Sequence, residues 1–129
     1  MFKRNLINAP RRVRGGLTSC ILLQKGDVPG DKLAITWVDV GPGSAQRPHA
    51  HDSEQVYVII QGRGCMQVDD ERQEVKAGDL IHISSGIRHH IENLSADQVL
   101  TYISAATPAF NLIALYDAGD LVEDTSTGH

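Results

Sequence analysis

The sequence predicts an all-β domain, a sandwich or barrel, and three observations carry that reading. Short apolar, β-branched runs alternate with Gly, Pro and Asp punctuation along most of the 129 residues. No segment holds a long, clean stripe of period 3.6; the best helical candidate, Phe110–Tyr116, is short. Gln55-Val56-Tyr57-Val58-Ile59-Ile60 is apolar on both parities after its first residue, as in a strand covered on both faces. One face would look into the barrel through Tyr57 and Ile59. The other needs a second sheet or another subunit, so a homodimer is expected.

Taken in order, the expected strands are Leu17–Gln24, Leu33–Val40, Gln55–Gln61, Gly64–Val68, Arg72–Val75, Leu80–Ile83, His89–Glu92 and Gln98–Ser104. Turn chemistry separates them: Gly26 to Gly30, Gly41-Pro42-Gly43, Asp69-Asp70, Gly78-Asp79 and Ser84-Ser85-Gly86. There is no repeat and no dividing linker, and the length suits one domain with a single core. Residues 1–32 are read as an N-terminal arm with the first strands, 33–105 as the barrel core, and 106–129 as a tail packed on it.

The net charge of −4 argues against nucleic acid as the main partner. The charge is uneven. Lys3, Arg4, Arg11, Arg12 and Arg14 crowd the start, whereas Asp117, Asp120, Glu123 and Asp124 mark the end. These are solvated termini of opposite sign, or a basic arm that docks on an acidic tail. Cys20 and Cys65 form no disulfide framework, so reduced thiols in the cytoplasm are expected. The start, Met1-Phe2-Lys3-Arg4-Asn5, lacks the apolar segment of a secretory signal. No run approaches the length needed to cross a membrane.

The chemistry concentrates in His49-Ala50-His51-Asp52-Ser53-Glu54-Gln55 and, later, Arg88-His89-His90. His49, His51 and Gln55 share one parity, so an extended chain turns all three to the same face. Imidazoles two apart can close on one cation, and a histidine from a neighbouring strand can complete the set.

These stretches resemble the cupin family. Gly43 to Gly62 is similar to the first cupin motif: a glycine, His-x-His at His49 and His51, an acidic or amide position at Gln55, and a closing glycine. Gly78 to Asn93 is similar to the second, with Gly78, Gly86, His89 and Asn93 at its marked positions. The resemblance spans about Leu33 to Ser104 and implies a double-stranded β-helix, the jelly-roll barrel. It further implies one divalent transition metal ion (Ni, Zn, Fe, Mn or Cu) held by His49, His51, Gln55 and His89. Two positions depart from the pattern. Ser84 stands where the second motif usually has proline, and Gln55 where the first usually has glutamate. Glu54 has the opposite parity and could replace Gln55 only if a bulge intervened. A neutral amide leaves the metal its full charge and makes the site more electrophilic.

Around the metal, Tyr57 has the parity to reach the cavity and either donates a proton or packs as a core aromatic. His82 is a candidate base or an ordinary surface histidine. Arg47 is positioned to meet an anionic substrate or to stand solvated on the rim. His90 should point outward, Cys65 should be a small buried hydrophobe, and Trp37 should pack in the core. The function implied is Lewis-acid catalysis, of isomerase or lyase type, on a small sugar acid or other oxygenated carbonyl compound. A metal-dependent dioxygenase and a non-catalytic binder of a sugar or carboxylate are the alternatives. Small-molecule ligands, not nucleic acid or membrane, are the expected partners.

Overall fold

The computed structural model describes residues 1–30 and 32–109, so the helix expected at Phe110–Tyr116 and the acidic tail lie outside the described residues. Among the described residues nine strands form: β1 Arg11–Arg14, β2 Leu17–Leu23, β3 Ala34–Val40, β4 Glu54–Gln61, β5 Arg63–Val68, β6 Glu71–Lys76, β7 Leu80–Ile83, β8 His89–Asn93 and β9 Leu100–Thr107. They make a six-stranded sheet, β1-β2-β3-β9-β4-β7, and a three-stranded sheet, β6-β5-β8. Every pairing is antiparallel. This is the all-β architecture that the alternating runs predicted, in the jelly-roll form that the family resemblance implied. No helix among the described residues is long and apolar enough to cross a membrane.

Period-two alternation builds the core. Val38 and Val40 from β3, Tyr57 and Ile59 from β4, Met66 from β5, Ile91 from β8, and Leu100 and Tyr102 from β9 meet between the sheets. Each is almost fully shielded from solvent, and removing that apolar surface from water is the main stabilising term. Trp37 differs from expectation. It lies on the alternate parity of β3 and is half-exposed on the outer face. Cys65 likewise alternates with the buried Gly64 and Met66 and is only half-buried. Neither cysteine is in a disulfide.

Two segments depart from the strand expectations. Arg11–Arg14, not among the expected strands, is an edge strand paired with β2. Its Val13 faces solvent, so hydrogen bonding and not apolar burial holds it. Arg4 reaches Asp27 at 2.7 Å and the Leu22 carbonyl at 3.2 Å, which ties the arm to its own domain. The last strand starts later than Gln98 because Asn93 organises the turn before it. The Asn93 side chain donates to the carbonyls of Val40 (2.9 Å) and Gln98 (2.7 Å) and accepts from the Ser95 amide.

The segment before β4 positions the functional face. His49 and His89 exchange both backbone hydrogen bonds, at 3.0 and 2.9 Å, and Ala45 bridges Glu92. Residues 45–49 thus run as an irregular strand beside β8. Gly62 makes the crossing from one sheet to the other at φ +85°, where a Cβ would stand 2.6 Å from the Val99 carbonyl oxygen.

Candidate metal centre

His49 and His89 face each other as a directly paired residue couple, which sets their ring centroids 4.3 Å apart. His51, two residues on, keeps the parity of His49, and its ring lies 5.9 Å from His49 and 5.5 Å from His89. One ligating nitrogen from each ring falls within 4.8 Å of the others, a spacing that one cation can bridge. The Nδ1 atoms of His49 and His89 sit 2.9 Å from the Arg47 carbonyl and 2.8 Å from the Ile87 carbonyl. A carbonyl only accepts, so Nδ1 carries the proton and Nε2 keeps its lone pair.

Burial holds these rings neutral. It pushes the His49 pKa down to about 3, reinforced by His89 and opposed by the Arg47 carbonyl. His89 falls to about 4, again mainly by burial. His51 is lowered for the same reason, while the Gln55 side chain, the Ser53 backbone and Asp52 favour its charged form. Neutral imidazole is the form that binds a metal.

Gln55 is 5% exposed and stands beside the His51 ring. Its Nε2 donates to Ser104 Oγ at 2.6 Å. Its Oε1 and the Nε2 of His89 are both buried without a hydrogen-bond partner. Two unsatisfied acceptors in a dry interior are costly unless a cation occupies the space between such groups. The donor set present therefore fits a divalent transition metal ion.

The other residues singled out in the sequence separate cleanly. Tyr57 is in the barrel: its ring is edge-on to His89 with 5.8 Å between centroids, and it stacks on Tyr102 at 4.2 Å. Its hydroxyl donates to Gln46 Oε1 at 3.2 Å, and Gln46 Nε2 donates to the Tyr102 hydroxyl at 2.7 Å. Arg47 is half-buried and contributes its carbonyl to His49. Glu54 and His82 are not with the histidines. β4 pairs regularly with β7 from Gln55 to Val58, and its register break lies at Ile59/Gln61, beyond the site. With no bulge at 54–55, Glu54 turns outward and meets exposed His82 at 2.6 Å. The structure thus removes the geometry that would let Glu54 replace Gln55, and places His82 outside the barrel. His90, next to His89, is half-buried on the far side of β8.

Sequence reasoning passed over Gln46, Asp52 and Ser104. Asp52 is a carboxylate close enough to act on His51, and it is exposed. Ser104 reaches the site only because β9 pairs with β4, with Tyr57 opposite Ser104.

A jelly-roll barrel with an inward three-histidine cluster and a buried amide defines a class of candidate metal-binding barrels. Residues 36–105 match the cupin domain family Cupin_2, and the chain belongs to that family. It is 40% identical over 74 residues to an uncharacterised protein of Methanocaldococcus jannaschii, covering 57% of this chain and 59% of the relative. The chain thus spans little more than half the length of that relative. An oxalate-binding protein of Thermotoga maritima is 30% identical over 88 residues, 67% of this chain and 73% of the relative. Among solved structures, an RmlC-like cupin from Shewanella frigidimarina superposes with a TM-score of 0.72 at 19% identity, covering 84% of this chain and 92% of that one.

Proposed function

We propose that the protein binds one divalent transition metal ion through His49, His51, His89 and Gln55 and uses it as a Lewis acid toward a small oxygenated carboxylate or carbonyl compound, of sugar-acid or dicarboxylate type. The carrying observation is the convergence of three neutral imidazoles with a buried, unpartnered amide oxygen. When bound, such a cation polarises a ligating carbonyl or carboxylate oxygen.

Charge favours an anionic ligand. None of the four side chains is negative, so nothing in the set offsets a divalent charge in a largely dry site. A carboxylate supplies that balance. His49 and His89 are kept in one tautomer by the Arg47 and Ile87 carbonyls. Tyr57 is held by Gln46 with its ring edge-on against His89, which packs one side of the histidine cluster. The oxalate-binding relative supports the carboxylate class.

A second reading, metal-dependent carboxylate binding without turnover, draws on one observation. Among the described residues the three-histidine cluster itself includes no carboxylate, Asp52 beside His51 being exposed, and the Tyr57 hydroxyl donates to Gln46. We further propose a homodimer in the cytoplasm. The outer face of β4 and β7 carries Val56, Val58, Ile60 and Leu80, the last 61% exposed, and a second copy would cover it.

The test is elemental analysis of the wild type beside His49→Ala and Gln55→Ala, followed by calorimetric titration with oxalate, 2-hydroxy acids and uronates, with and without metal. Near-stoichiometric metal that both variants lose, and carboxylate binding that needs it, is the expected result. No metal in the reconstituted wild type, or carboxylate binding unaffected by chelator, would overturn the reading. Product formation from any bound carboxylate then separates catalysis from binding.

A further inference from the structure

We infer that the cavity between β6 and β7 binds a small aliphatic ammonium compound, its apolar chain inward and its ammonium group at the rim. These strands end their respective sheets and are not paired with each other among the described residues, so the barrel is open on this side. The opening is a cavity of about 400 Å3, a volume within the range of small-molecule sites. Its walls include Met66 and Val68 of β5, Val75 of β6 and Ile81 of β7, and its rim carries Glu71 and Asp79.

The register of β6 makes one side of this cavity acidic. Glu71, Gln73 and Val75 pair with Val68, Met66 and Gly64, so all six share the inner face of the three-stranded sheet. An inner face is ordinarily apolar, yet β6 places a carboxylate on it. The same rung continues through Val68 to His89. Glu71 thus stands two strand spacings, about 10 Å, from the His89 backbone, with Val68 between them. Ile81, the ladder partner of Tyr57, forms the facing wall. The cavity lies beside the histidine cluster and is separate from it, since none of His49, His51, Gln55 and His89 lines it.

Charge selects the ligand. No Lys or Arg lines the cavity. Glu74 is held by Arg63 at 2.7 Å, and His82 by Glu54 at 2.6 Å. Glu71 and Asp79 have no ion pair among the described residues; they accept from the Gln73 side chain and the Lys76 amide. An anion would meet two uncompensated carboxylates. An ammonium group would pair with them while its alkyl chain covers the four apolar side chains.

The test is a titration followed by two-dimensional amide NMR, on wild type with added metal and after chelator treatment. Hexylammonium, its shorter homologues, hexanol and hexanoate are the probes. We expect saturable shifts at the amides of Val68, Val75 and Ile81, with a hexylammonium Kd of about 1 mM. Each methylene removed should weaken binding roughly 4-fold. Hexanol should bind roughly 10-fold more weakly than hexylammonium. Neutralising Glu71→Gln together with Asp79→Asn should cost hexylammonium a similar roughly 10-fold and leave hexanol unchanged. Gln73→Phe, which fills the cavity from the exposed edge strand, should abolish both. Hexanol or hexanoate binding the wild type as tightly as hexylammonium would overturn the inference without recourse to any variant. So would full hexylammonium affinity in the neutralised variant, or shifts that vanish on chelation, which would place the ligand on the metal centre. Absence of saturable shifts at these amides would also overturn it and leave Glu71 as a charge guarding an open strand edge. A wild type that binds no metal would defeat the metal-site reading and leave this inference standing.

Discussion

Acidifying the metal-free protein should destabilise it in the window set by His49 and His89. In the folded state burial holds their pKa values at about 3 and about 4. In the unfolded chain each histidine titrates near about 6.5. Above about pH 6.5 neither state takes up the proton and stability is unaffected. As the pH falls toward about 4, the unfolded state gains protons that the folded state refuses, so stability declines. At pH 5 the cost is about 2 kcal/mol for each residue, or about 4 kcal/mol together. That is a large share of the 5–15 kcal/mol that typically separates folded from unfolded domains, to order of magnitude. His51, lowered in the same direction, adds to the trend. Asp27 does not interfere, because the Arg4 hydrogen bond pulls its carboxyl further below the window. Urea denaturation of chelator-treated protein at pH 8 and pH 5 measures the difference. His49→Gln removes one of the two groups and should recover about 2 kcal/mol of the loss. Equal stability at the two pH values, or an unchanged loss in His49→Gln, would refute the claim that burial holds these imidazoles neutral.

Three further outcomes are expected. Glu54→Gln should leave metal content unchanged, since Glu54 pairs with His82 on the outer face; depletion of metal on elemental analysis would contradict that placement. Gly62→Ala should lower the melting temperature and cost roughly 2–3 kcal/mol, because the added Cβ would meet the Val99 carbonyl at a positive φ. Asn93→Ala strands the carbonyls of Val40 and Gln98 and should cost roughly 2–4 kcal/mol in urea denaturation without changing metal stoichiometry.

The strand pattern was legible because side chains alternate faces with a fixed period of two. That rule alone puts Gln55 and Tyr57 inward and Glu54 outward, and β4 obeys it. It failed at Arg11–Arg14, where an edge strand bonded to β2 carries a single apolar residue and so shows no alternation. It also misjudged the start of β9, because Asn93 supports that turn from five residues away in sequence. Trp37 read as core on hydrophobicity, yet its parity on β3 put it on the outer face.

Local spacing by itself marked His49, His51 and Gln55 as one set, but His49 runs beside β8 and Gln55 lies on β4 with bends at 52–53 between them, so only the fold brings them together. Which residues meet them depended on register between strands far apart in the chain. The β4–β9 ladder brings Ser104 to Gln55, and the β4–β7 ladder brings His82 to Glu54 on the opposite side. Shifting either ladder by one residue would exchange inner and outer partners throughout, so those contacts belong to the folded barrel and not to any segment of it.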